Sequence, residues 1–227
     1  TASSCRDGRD MSTDAYMDLI ANKSRYDYDA GFQCDSQWSH LFPFQADLVR
    51  WALRKGRGAL FVDTGLGKTR MQCTFAHEAL RHVGNDNRFL VLAPLAVARQ
   101  TIAEAASLGI EVRYVRDNAD VRPGISICNY EILHALDPLQ FAGVALDESS
   151  IIKNYAGVRR DQLIAAFASI PYRLCCTATP APNEWAELGN HSEFLGVMNY
   201  GEMLPTFFTH DASDCEWYLK GWAEQAF

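Results

Sequence analysis

The chain has no apolar run approaching the ~18 to 20 residues that a membrane-spanning helix requires, no Cys-x-x-Cys pair, no internal repeat and no excess of positive charge. Each absence closes a class. Its first residues, TASSCRDGRDM, are polar and lack the basic-then-apolar plan of a secretory leader, so no membrane partner is expected and a cytoplasmic location follows by default. Seven cysteines are an odd number, and Cys175 and Cys176 sit together in an apolar run that reads as a buried strand. Reduced core residues are expected there, not a disulfide framework or a zinc site. Lys and Arg total 21 against 28 Asp and Glu, a formal charge of −7. That balance excludes a broad basic face that grips nucleic acid by electrostatics alone. It leaves open a grip through loop N–H groups, hydroxyls and helix N-termini.

What the chain does have is a core. Its 227 residues, 48% of them hydrophobic, suffice for one generous domain or two small ones. Residues 1–40 are polar, with an Asp/Tyr-rich patch and no sustained period, and Met11 is a candidate natural start. From Leu41 short apolar runs alternate with amphipathic stretches. Strands are expected at 59–62, 88–93, 111–115, 125–129, 143–147 and 172–178. Helices are expected from Phe44, with Leu48, Trp51 and Ala52 on one face, from Lys68 to about Val83, from Pro94, and around 130–136 and 157–168. Strands apolar throughout, separated by helices, imply a doubly wound α/β fold whose mainly parallel sheet is covered on both faces. A lobe over 41–195 is thus followed by an aromatic-rich extension, 196–227, expected to be helical. The chain stops inside LKGWAEQAF, which reads as an interrupted amphipathic helix.

The sharpest feature is LFVDTGLGKTRMQ, residues 60–72. A strand, two glycines, a lysine and a helix in that order are what a phosphate-holding loop requires, because phosphate oxygens must approach backbone N–H groups unobstructed by side chains. Thr64, Gly65, Leu66, Gly67, Lys68 and Thr69 are the candidate nucleotide-binding residues. Lys68 supplies charge to the β- and γ-phosphates, and the Thr69 hydroxyl is a candidate Mg²⁺ ligand. Val62 stands at the first position of the G-x-x-x-x-G-K-[ST] pattern, so the strict form is broken. The bland alternative is a glycine-rich turn carrying a solvated lysine.

At the carboxyl end of a later strand, VALDESSIIKN brings Asp147 and Glu148, the position at which a doubly wound sheet opens its ligand crevice. Asp147 is the second Mg²⁺ candidate, and Glu148 is placed to polarise a water attacking the γ-phosphate, a carboxylate that a hydrolase needs and a nucleotide kinase does not. Alone, the pair reads as two solvated acids at a strand end. CCTATPAPN then offers Thr177 and Thr179 as a coupling element between nucleotide and a bound strand. Gln45, about twenty residues before the loop, carries an amide that suits the adenine edge with its N6 and N7. An exposed polar residue at a helix start is its equal rival.

Taken together, FPFQ, DTGLGKT, LAP at 92–94, ICNYEIL at 127–133, DESSIIKN with Lys153 and Asn154, and TATPAPNEWAEL with Asn183, Glu187 and Leu188 resemble the ordered motifs of the first RecA-like lobe of a superfamily-two helicase or translocase, of the Swi/Snf-type branch with its phage and bacterial members. The resemblance covers about residues 41–200. It departs at Ser150, where a histidine is common, and it has no counterpart of the second RecA-like lobe with its arginine finger. It implies a P-loop NTPase that uses ATP and Mg²⁺, acts on nucleic acid, DNA more than RNA, and touches it near Pro94, Leu95, Asn129 and Tyr130. It further implies that this chain alone hydrolyses ATP slowly. Two other classes stand beside it. One is a non-hydrolysing nucleotide-binding scaffold or regulatory module; the other is a P-loop kinase, disfavoured by Glu148 and by the Thr-Ala-Thr-Pro segment.

Overall fold

Six short strands carry the expected apolar runs in the computed structural model, which describes residues 29–154, 158–181, 184–211 and 216–223. They are β1 (Arg57–Phe61), β2 (Arg88–Leu92), β3 (Val112–Tyr114), β4 (Gly124–Cys128), β5 (Gly143–Asp147) and β6 (Tyr172–Thr177). All pair in parallel, in the order β1-β6-β5-β2-β4-β3. The strands are apolar at consecutive positions because both faces are covered, and the two-residue repeat sorts their side chains between two cores. Phe89, Val91, Ala145, Leu174 and Cys176 face α2 (Lys68–Val83) and its Met71 and Phe75. Leu90, Leu92, Val144, Leu146 and Cys175 face the other way, onto Leu163 and Phe167 of α4 (Val158–Phe167) and Phe194 of α5 (Leu188–Leu195). Each of these large side chains contributes on the order of 1.5–3 kcal/mol through burial.

The first helix, α1 (Pro43–Lys55), starts on a proline at its first position, where no intrahelical N–H is needed. The expected face of Phe44, Leu48, Trp51 and Ala52 is corrected by the structure. The buried positions are Gln45, Ala46, Val49, Ala52 and Leu53, while Phe44 and Trp51 remain 45% and 37% exposed. Two apolar stripes share this helix, and the one with smaller side chains allows close packing on α2 and β1. Phe44, Leu48 and Trp51 instead line a half-open groove of about 560 Å³ with Phe61, Val62 and Leu66.

Residues 29–42 lie against the lobe. Backbone N–H groups of Ala30, Gly31 and Phe32 donate to the carbonyls of Lys55, Arg54 and Leu53. Phe32 stacks on His82, and Trp38 Nε1 donates to the buried Glu78 at 2.9 Å. The five described cysteines, Cys34, Cys73, Cys128, Cys175 and Cys176, are buried and free. Burial pushes the thiols of Cys73 and Cys128 up to about 12, so these groups stay protonated and unreactive.

After β2 comes α3 (Leu95–Ser107), and after α5 comes α6 (Tyr200–Phe207). Among the described residues the extension is helical only that far. Beyond it β7 (Phe208–Asp211) and β8 (Glu216–Leu219) pair antiparallel where helix was expected. Aromatic side chains favour the pairing: Phe208 is buried against the extension while its neighbour Thr209 is exposed, and His210 meets Trp217 across the strands.

Candidate functional site

The carboxyl ends of β1, β6 and β5 are neighbours in register. Phe61 pairs with Thr177, Asp147 pairs with Cys176, and Val62 N–H extends the ladder to the Thr177 carbonyl. With strands about 4.8 Å apart, the ends of β1 and β5 are separated by about 10 Å. The residues singled out from the phosphate loop, the acidic pair and the Thr-Ala-Thr segment therefore open at one edge of one sheet.

The loop 62–67 turns from β1 into α2. Gly65 and Gly67 have φ of 80° and 81°, a backbone that favours glycine. Gly67 is doubly constrained, since a Cβ there would sit 2.4 Å from Gln45 Nε2. That contact shows what Gln45 does. The residue is 3% exposed; its Oε1 accepts from Phe42 N–H at 2.9 Å and its Nε2 donates to the Leu66 carbonyl at 2.8 Å. The amide proposed for the adenine edge is spent at both ends in fastening α1 to the phosphate loop. Lys68 Nζ lies within the curl of the loop, donating to the carbonyls of Val62 at 2.9 Å and Asp63 at 3.3 Å. Thr64 N–H and hydroxyl both turn back to Asp63 Oδ1.

Asp147 is 4% exposed. One oxygen accepts from Glu148 N–H at 3.2 Å, and the other, Oδ2, is buried with no protein donor. Burial, and then the charge of Glu148, push its carboxyl up to about 6; the Glu148 N–H and the Lys68 ammonium pull it down. A buried carboxylate with an oxygen to spare, inside the reach of the Lys68 charge, is suited to a cation. On α2, Thr69 lies one turn before Cys73, and the Cys73 thiol feels the charge of Asp147. Thr69 thus shares a helix face with a side chain close to the acid. Among the described residues no group of three His, Cys, Asp or Glu side chains can enclose a metal. One carboxylate, one hydroxyl and a nucleotide's oxygens do fit Mg²⁺, which keeps water and phosphate in its octahedral shell.

Glu148 is the only described non-glycine residue with a left-handed backbone, at φ 51°. Thr177, fully buried, donates its hydroxyl to Glu148 Oε2 at 3.4 Å and accepts from Thr179 N–H at 3.1 Å. The threonine pair is thus joined to the acid through one hydroxyl. Two further partners had no signal in the local pattern. Tyr130 is buried and donates to the Asp147 carbonyl at 2.8 Å, and Ser149 Oγ lies 3.0 Å from Nε2 of His191, 42 residues later. Tyr130 and Asn129 had been expected near nucleic acid. Asn129 is 8% exposed, and its side chain caps the turn Tyr130–Ala135 by accepting from Ile132 N–H. Their polar groups serve inside the lobe. Pro94 and Leu95 stand at the start of α3, Leu95 being 61% exposed. Asn183 lies outside the described residues, as do the side chains of Lys153 and Asn154.

No family model matches the chain. A protein called p41, from Acyrthosiphon pisum secondary endosymbiont phage 1, is 28% identical over 202 residues, covering 78% of this chain and 43% of p41. The SWI2/SNF2 ATPase core of Sulfolobus solfataricus in complex with dsDNA superposes with a TM-score of 0.63 at 20% identity, over 75% of this chain and 39% of its own. The UvsW helicase from Bacteriophage T4 does so at 0.56 and 11%, over 84% of this chain and 67% of its own. The chain therefore spans less than half of p41 and of the SWI2/SNF2 core. Its fold is the RecA-like α/β fold that these cores share.

Proposed function

We propose, from a chain folded as a helicase-type ATPase lobe, that it binds ATP and, together with a second RecA-like lobe, couples ATP hydrolysis to movement on nucleic acid, DNA in preference to RNA. The observation that carries this reading is the convergence of the phosphate loop, Asp147 with Glu148, and Thr177 on the ends of three adjacent strands. Lys68 and the loop N–H groups bind the phosphates. Thr69 and Asp147 hold Mg²⁺, which when bound neutralises charge on the β- and γ-phosphates. Glu148 orients and deprotonates the attacking water, with Thr177 holding its carboxylate and Thr179 reporting the state of the site. Gln45 acts on nucleotide affinity through the loop it braces. The exposed start of α3, at Pro94 and Leu95, presents N–H groups and the positive end of a helix dipole to a phosphodiester backbone. Asn129 and Tyr130, used inside the lobe, are left out of that surface. The preference for DNA draws on the likeness to a core solved with dsDNA.

The test is nucleic-acid-stimulated ATPase of the full-length protein carrying Lys68→Ala or Glu148→Gln, compared on single-stranded DNA, duplex DNA and RNA at one salt concentration. Each variant is expected to lose at least about 10²-fold in kcat. Turnover that survives both substitutions overturns the reading. ATP binding without any turnover in the unmodified protein supports the non-hydrolysing module in its place.

A further inference from the structure

We propose that His191 is a positioning residue for hydrolysis, holding the left-handed turn at Glu148 through the Ser149 hydroxyl. The inference rests on the ATPase reading above and deepens it. A left-handed non-glycine residue persists only where its surroundings over-determine it, so the turn at Glu148 has to be held on both sides. On the N-terminal side, Tyr130 OH donates to the Asp147 carbonyl at 2.8 Å and Asp147 Oδ1 receives the Glu148 N–H at 3.2 Å. On the C-terminal side stands Ser149, fully buried, with its hydroxyl 3.0 Å from His191 Nε2.

His191 is built into the molecule at a junction. It is 4% exposed on α5, and its ring meets the edge of Phe61 at 5.2 Å, Phe61 being the last residue of β1 before the phosphate loop. One imidazole thus touches the strand that delivers the phosphates' cradle and the turn that delivers the acid, from a helix that follows the threonine segment. That helix is anchored. Arg160 of α4 donates to Asn190 Oδ1 at 2.6 Å and pairs with Glu193, so the residues flanking His191 are fixed to a neighbouring element. Burial holds the imidazole neutral, at about 4. A neutral ring has one donor and one acceptor nitrogen, so Nε2 forms a hydrogen bond with the Ser149 hydroxyl in either tautomer, accepting from it or donating to it. With the tie removed, the turn relaxes to a right-handed backbone, and the Glu148 carboxylate leaves Thr177 and the line of attack. The loop keeps its own ties, Gln45 to the Leu66 carbonyl and Val62 N–H to the Thr177 carbonyl, so loss of the Ser149 tie leaves phosphate binding unaffected.

The full-length protein is compared with His191→Ala, His191→Gln, Ser149→Ala and the His191→Ala/Ser149→Ala double variant, under saturating nucleic acid. The expected result is a fall in kcat of about 10- to 100-fold with KM for ATP within about threefold, as for a misplaced catalytic group. Glutamine, whose amide reaches the Nε2 position, restores most of kcat, and the double variant is no worse than either single one. A kcat within twofold of the unmodified value in Ser149→Ala, or additive losses in the double variant, overturns the proposal; so does a loss confined to thermal stability. Should His191→Ala fail to fold, Ser149→Ala, which removes one oxygen, decides alone. Lys68→Ala and Glu148→Gln run beside them: if these abolish turnover and the Ser149 variant does not, only the positioning role falls, and if turnover survives both, the ATPase reading falls first.

Discussion

At the scale of single residues, the candidate site holds two buried titratable groups whose effects on stability oppose one another. Asp147 is raised from 3.8 to about 6. The folded state therefore holds its proton more tightly than the unfolded chain, and the stability it contributes is full below pH 3.8 and lost as pH rises through 6. At neutral pH its charged form costs about 2–3 kcal/mol. His191 is lowered from 6.5 to about 4, by burial above all and against the pull of Glu187. Its contribution is full above 6.5 and lost as pH falls through 4. In the unmodified protein the two slopes largely cancel between pH 4 and 6. Asp147→Asn is expected to raise stability by about 2 kcal/mol at pH 7.5, to change little at pH 4, and to expose the His191 slope as a loss on acidification below 6.5. Urea midpoints across pH measure this, and a pH-independent difference between variant and parent would sink it. Mg²⁺ should stabilise the parent at neutral pH and leave Asp147→Asn unchanged.

At the scale of elements, the phosphate loop is shaped from outside as well as from within. Gln45 holds the Leu66 carbonyl from α1, and Gly67 leaves room for that amide. Gln45→Ala removes a buried amide that satisfies a carbonyl and an N–H. It should raise KM for ATP about 5- to 30-fold with kcat nearly kept, corresponding to 1–2 kcal/mol; an unchanged KM would return Gln45 to the role of a bystander. Much at this scale was legible in advance. α2 begins and ends where the glycines and the helical period placed it, and β5 spans Gly143–Asp147 as expected. The α1 face was ambiguous because two apolar stripes fit one helix, and only the packing of β1 chooses between them. β7 and β8 were hidden because aromatic residues satisfy a helical or a two-residue repeat equally over four positions. The ties from Tyr130 to Asp147 and from Ser149 to His191 join residues 17 and 42 positions apart. No local period encodes such a pair, so the sequence alone points Tyr130 toward nucleic acid and gives His191 no role.

At the scale of the whole molecule, the proposed chemistry is divided between lobes. If, as proposed, a second RecA-like lobe supplies an arginine to the site, residues 1–227 alone are expected to hydrolyse ATP about 10³- to 10⁵-fold more slowly than the same residues acting with that lobe. Steady-state turnover of both, at equal protein concentration, tests this; equal rates would make this lobe self-sufficient. The acidic balance, −7 overall, bears on the polymer. Few phosphates can be neutralised by such a surface, so the logarithmic salt dependence of DNA binding should be shallower than about −4. A steeper slope would mean a basic surface supplied from elsewhere in the protein.

The sheet order has a consequence for the making of the protein. β1 is an edge strand, and its partner in the sheet is β6, with Arg57 opposite Arg173. On the ribosome, where ~5–20 residues are added each second, the 116 residues from the one after Arg57 through Arg173 take roughly 6–23 s to appear. Throughout that interval the nascent segment proposed to hold a triphosphate lacks the strand it pairs with. A nucleotide bound there as proposed can assist only the closing act of folding, never its opening.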